Sequence, residues 1–276
     1  MSFLTFDSPS RDRRPLSGLA DFAGRTVGAI GQKYVPVLSM LIFLAIWEAC
    51  VRSGLIPRVL VPPPSSVIPS FIREQSNGIW LHNVLASLRH YAAGVLVGSM
   101  LGIALGTASG LWPLVQRSQE GIARLLRPIP PIAWIPFAII WFGVTETAAS
   151  FIIAVGVFWF NYFATYTAVK SVDRGLIELA YAFSQGRFNS RLVKIILPAA
   201  APGILSGVRA GLGMGWVTVL AAELFGIPGI GQRMMEAGGL LATDIVILYM
   251  VTIACLYSIS DIAVSVFSNS VLRWQE

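Results

Sequence analysis

The chain reads as an all-α integral membrane protein with six transmembrane helices. Three observations predict this. Of its 276 residues, 55% are apolar and only 12% charged, with a mean hydropathy of +0.70; soluble domains carry about a quarter charged residues. The apolar runs are long and unbroken, whereas a β-barrel would show alternating strands of ~10 residues. The basic residues are also asymmetric. Once spans are assigned, fourteen Lys and Arg fall in loops on one side and five on the other. The positive-inside rule then puts both termini in the cytoplasm. It also places the net charge of +6 in cytoplasmic loops rather than on a nucleic-acid surface.

The elements follow in order. Residues 1–15 are polar, with Arg11, Arg13 and Arg14, and read as a tail. From 16 to 33, Leu16, Leu19, Ala23, Val27 and Ile30 recur at helical spacing, so an amphipathic interfacial helix is expected. Span 1 runs from Tyr34 to Val51. The prolines of RSGLIPRVLVPPPSSVIPS exclude helix interior and mark an external loop, so that 34–80 forms a unit of first span plus loop. Leu81–Tyr91 reads as an interfacial entry to span 2, Ala92–Gly110. Residues 81–272 hold spans 2 to 6. Span 3, RPIPPIAWIPFAIIWFGV, is short and proline-broken; span 4 is Ala149–Val169, span 5 Ile195–Leu224 and span 6 Ile245–Phe267. Neither a cleaved signal peptide nor an internal repeat is read, and Cys50 and Cys255 are expected to pack rather than pair.

Four features carry candidate chemistry. Gly94, Gly98, Gly102 and Gly106, and again Gly203, Gly207, Gly211 and Gly215, recur every four residues. Such stripes let helices approach closely in lipid, for static packing or for a gate that slides. Glu48, Arg209 and Glu223 are the ionisable groups read inside spans. Buried charge in lipid is costly and marks a pathway or a structural pair. Arg209 is read either as lining an anion pathway or as pairing with Glu48, and Glu223 as an interfacial group. In span 3, Trp134 and Trp141 are candidate walls of a cavity, because backbone left without hydrogen bonds at membrane depth must face protein or water. Finally, Lys170–Pro198 is the most polar long segment between apolar spans, a cytoplasmic loop suited to docking a partner.

Enzyme signatures are absent. No G-x-x-x-x-G-K-[ST] loop is present to cradle phosphate, so ATP hydrolysis is not expected here. His82 and His90 stand without a Cys or acidic cluster in the sequence, so no metal site is expected. A stand-alone secondary carrier would show inverted repeats, and a membrane-embedded enzyme an intramembrane His/Asp/Ser cluster; neither is read.

The run LIELAYAFSQGRFNSRLVKIILPAAAPGILSGVRAGLGMGWVTVLAAELFG resembles the permease subunits of bacterial ABC importers. Glu178, Ala180, Gly186, Ile195, Leu197 and Pro198 match their signature of Glu-Ala-Ala, Gly and Ile-x-Leu-Pro. LRPIPPIAWIPFAIIWFG, VPPPSSV, VKSVDRGLIE and MGWVTVLAAEL are similar to the taurine, alkanesulfonate and nitrate permease group. Leu179 replaces the usual first Ala, and the interval from Glu178 to Pro198 is one residue longer than the pattern: either Gln185 takes the glycine position or one residue is inserted near Gln185–Gly186.

The resemblance covers about residues 40 to 272 and implies a type I, MetI-like fold in a bacterial inner membrane. It also implies the partners: a second copy of the chain, two cytoplasmic ATP-binding subunits that hold ATP and Mg, and an external substrate-binding protein. A coupling helix at about 176–189 would dock the motor through Leu176, Ile177, Glu178, Ala180, Phe183, Gly186, Arg187 and Arg191. The implied cargo is a small anion: taurine or another organosulfonate, with nitrate, bicarbonate and pyrimidine vitamin precursors as alternatives.

Overall fold

The computed structural model describes residues 17–173, 175–176, 178 and 188–272, the side chains of 17–33 and 189 excepted. The described residues form helices and no strand. Contacts divide the chain into two units, Met1–Arg58 and Val59–Glu276. In the first, α1 (Ser17–Arg52) is one continuous helix with Pro36 inside it. The backbone therefore does not break between the interfacial helix and the span read from the sequence. Its faces from Tyr34 to Phe43 are largely exposed apolar surface, as lipid contact requires.

The second unit holds the rest. A 3-10 turn (Pro64–Ser66) leads into α2 (Val67–Ser76). The supposed external loop is thus partly helical, because Pro69 lies in the first turn, where a missing N–H costs nothing. Helix α3 (Ile79–Leu111) runs unbroken through the expected entry and span 2. Helix α4 (Pro113–Leu126) follows, then a 3-10 turn (Pro131–Trp134) and α5 (Ile135–Phe142). The last two and α4 meet at a bend of 91°, the geometry of a broken span or of a re-entrant loop. Pro128, Pro130 and Pro131 remove three of four consecutive backbone donors there and force the break. Five helices are long and apolar enough to cross a membrane, or six if the bent pair is one span.

Helix α6 (Glu146–Lys170) is the centre of this unit. Gly143, at φ +71°, ends α5 in a backbone region that disfavours other residues. Thr145 then caps α6, its Oγ1 accepting from Ala148 N at 3.4 Å. Glu146 in the first turn and Lys170 in the last match the helix dipole. After the polar loop come α7 (Phe188–Arg191), a π-helical turn at Leu192–Ile196, and α8 (Leu197–Glu223). The unit ends with α9 (Ile230–Gly239) and α10 (Thr243–Val271). Ile152, Ile153, Val157, Asn161 and Thr165 of α6 are fully buried.

Candidate functional site

Both glycine stripes face α6. On α3, a Cβ at Gly94 would lie 2.6 Å from Ile153 Cβ, and one at Gly102 would lie 2.7 Å from both Asn161 Cβ and Phe158 O. At Gly98 and Gly106 the obstruction is the α6 backbone itself, Ala154 O and Tyr162 O, each at 2.6 Å. On α8, Gly203 and Gly207 lie against the methyls of Ala168 and Ala164, Gly211 against the Asn161 amide, and Gly215 against Tyr91 and Val157. Two small-residue ridges thus clamp one helix, the close approach that dispersion forces need in lipid.

The charged groups sort differently from the sequence reading. Glu48 accepts from Arg52 Nε at 2.5 Å, one turn along α1. The carboxylate that meets Arg209 is Asp261 of α10, through Nε at 2.6 Å and Nη2 at 2.7 Å. Asp261 lies within span 6, and its place inside an apolar helix is the sequence signal that marks it. Glu223 is not an interfacial group: it is wholly buried. Its carboxylate accepts from Ser87 Oγ at 2.6 Å, His90 Nε2 at 2.5 Å and Gly231 N at 2.5 Å, while Ser87 Oγ accepts from Ile230 N at 2.9 Å. The carboxylate and hydroxyl thereby satisfy the first amides of α9, the donors a helix start leaves over. The chain reaches this position only because Gly229 has no side chain; a Cβ there would overlap the Glu223 carboxylate.

At the same end, Glu74 of α2 receives Arg233 Nη2 at 2.7 Å, Arg233 Nε at 3.1 Å and Tyr249 O–H at 3.0 Å. The Arg233 hydrogen bond holds the Glu74 carboxyl below the usual carboxylate range, against its burial, and Glu74 in turn raises Arg233. Arg73 donates to Asp244 at 2.7 Å, which also accepts from Ser70 at 2.6 Å. These pairs join α2, α9 and α10.

Trp134 and Trp141 gather with Phe137 around Phe151 of α6. Two cavities lie at the elbow before them. One cavity of about 340 Å³ is lined by Arg127, Pro130, Pro131, Gly156, Trp159, Phe163 and Met214, among others. A second, of about 280 Å³, is lined by Arg127 and Phe163 again, with Gln116, Glu120, Arg124 and Tyr166. Arg127 stacks 4.3 Å above the Phe163 ring.

Of the docking residues, Leu176 and Glu178 are exposed and Arg191 lies over the Phe188 ring at 5.5 Å. Asp173 Oδ1 accepts from Gly175 N at 2.7 Å and Leu176 N at 3.2 Å, a side-chain cap where the polar stretch turns helical. Ile177, Ala180, Phe183, Gly186 and Arg187, and the turn at Gln185, lie outside the described residues. The π turn at Leu192–Ile196 holds one more residue per turn than an α-helix. It lies within the interval from Glu178 to Pro198, which is one residue longer than the pattern.

Residues 94–273 match the family of binding-protein-dependent transport system inner membrane components. The chain belongs to this family. The permease is 31% identical to the taurine transport system permease protein TauC of Escherichia coli, over 88% of this chain and 90% of that one. It is 32% identical to the putative aliphatic sulfonates transport permease protein SsuC of the same organism, over 84% and 88%. The bicarbonate transport system permease protein CmpB of Synechocystis is 30% identical over 73% and 75%. The fold is similar to an inward-facing MetNI methionine ABC transporter, with a TM-score of 0.63, 21% identity, and 72% of this chain and 98% of that one covered. The permease therefore has the MetI-type fold expected, and is a multi-pass ABC transporter permease.

Proposed function

We propose that the permease forms the translocation pathway of an importer for a small oxyanion, taurine or another organosulfonate. Two copies assemble with two cytoplasmic ATP-binding subunits, which hold ATP and Mg, and an external binding protein delivers the cargo. Both termini lie in the cytoplasm. The observation that carries the reading is the similarity, over more than four fifths of the chain, to permeases named for taurine and for aliphatic sulfonates. The polar segment after Lys170 supports it, since it starts with a capped, exposed turn where a motor could dock.

The test is uptake into proteoliposomes holding the permease with the ATP-binding subunits and binding protein encoded beside it. Taurine should accumulate only with ATP, and ethanesulfonate should compete. Accumulation that ignores ATP, or a permease that purifies alone and transports, would overturn the importer reading. Competition by bicarbonate or nitrate instead of sulfonates would keep the importer and change its cargo.

A further inference from the structure

The two cavities share Arg127 and Phe163. Together they run along α6 from Gly156 to Tyr166, about 15 Å by helical rise. Arg127 stands where they meet, at the proline elbow between α4 and the 3-10 turn. Beside Phe163, it sits about 10 Å short of the Lys170 end of α6.

Three features of this guanidinium point to a ligand. First, its face is already used, stacked on Phe163 at 4.3 Å. Stacking leaves the in-plane N–H fork open, the geometry that grips an oxyanion through two parallel bonds. Second, no carboxylate among the described residues pairs with it. Glu120, the acidic group in the neighbouring cavity, is held by Arg124 Nη2 at 2.6 Å. Tyr166 and Gln116 of that cavity's wall hold Lys170 Nζ, at 2.7 Å and 3.4 Å. Arg127 is exposed, so a dissolved anion can reach it. Third, the rest of the wall suits the organic part of a small anion. Trp159 and Phe163 supply apolar faces.

We propose that Arg127 is the oxyanion-recognition group of the permease's passage. It binds the sulfonate head of the cargo, or a chemically equivalent oxyanion, between the elbow and α6. This rests on the importer reading above. An anionic lipid headgroup offers the same oxygens, so the experiment separates the two sources.

The purified permease–ATPase complex, without binding protein, is titrated with taurine and its thermal unfolding followed. The same complex with binding protein in proteoliposomes gives the uptake rate. Wild type should be stabilised by taurine. Arg127→Gln should lose that shift and slow uptake at least about tenfold. Arg127→Lys, which keeps charge without the fork, should slow it about threefold. Arg117→Gln removes the same charge from α4 without touching either cavity, and should behave as wild type.

A structural role for Arg127 would lower the unfolding temperature itself but leave the taurine-induced shift intact, and that result overturns the proposal. Uptake within twofold of wild type in Arg127→Gln also overturns it. Should Arg127→Gln not assemble, Arg127→Lys decides, since wild-type rate and shift there refute the assignment. If uptake falls when anionic lipid is left out and the taurine shift ignores the substitution, the headgroup is the ligand and the proposal fails. If wild type shows no ATP-dependent uptake, the importer reading fails, and the shift with taurine, nitrate or bicarbonate still decides Arg127.

Discussion

Glu74 is 2% exposed, yet it is charged, because Arg233 and Tyr249 give its carboxylate three donors at 2.7 to 3.1 Å. Breaking such a pair leaves the half-buried Arg233 with Glu236 as its remaining carboxylate, at a cost of about 2 kcal/mol. Glu74→Gln should therefore lower the unfolding temperature of the detergent-solubilised permease at neutral pH. The pH dependence has a definite sign. The folded-state pKa is depressed, so the stabilisation is full above the unfolded value, roughly 4. It is lost as pH falls through the lower folded value. The gap between wild type and Glu74→Gln should close in that acid window. A gap that is unchanged there would show that Glu74 is not the titrating group. Nothing in the sequence pairs Glu74 with Arg233, 159 residues apart. The same holds for Glu223 and His90, 133 apart, whose contact rests on the side-chain-free approach at Gly229.

At the scale of helices, the glycine spacing was legible because a four-residue repeat can line only one stripe of a helix. Which helix that stripe meets was not. Both stripes meet α6, which carries its own small residues Ala164 and Ala168 opposite Gly207 and Gly203. Gly102→Leu has nowhere to go, since even its Cβ would lie 2.7 Å from Asn161 Cβ and from the backbone oxygen of Phe158. Overpacking of this kind costs about 1–3 kcal/mol, and backbone cannot yield as a flexible side chain would. The expected result is a lower unfolding temperature and reduced yield of folded protein, whereas Gly121→Leu, with open space around it, should match wild type. Equal stability of the two variants would mean that the α3–α6 contact tolerates separation. The proline break in span 3 was likewise legible as a break, but its angle of 91°, and the use of its elbow as a cavity wall, depend on where α6 lies.

For the whole molecule, the importer reading places a motor against the polar stretch after Lys170. Glu178 is exposed there, so its replacement leaves no buried group unmet. Glu178→Lys should insert and fold as wild type while weakening co-purification of the ATP-binding subunit and slowing ATP-driven uptake. Normal uptake by that variant would move the docking contact elsewhere.

The sequence by itself determined the helical membrane class, the span count to within the broken helix, the glycine stripes and the family resemblance. These follow from composition, period and local spacing, which a linear chain displays directly. Tertiary structure alone decided that α6 is the clamped centre, that Asp261 answers Arg209, and that Glu223 caps α9 from inside the bundle. It also brought Arg127 over Phe163 at the junction of two cavities. The reason is physical: a charge in a low-dielectric bundle takes whichever partner packing brings within about 3 Å, and packing between helices is settled by side chains far apart in the chain.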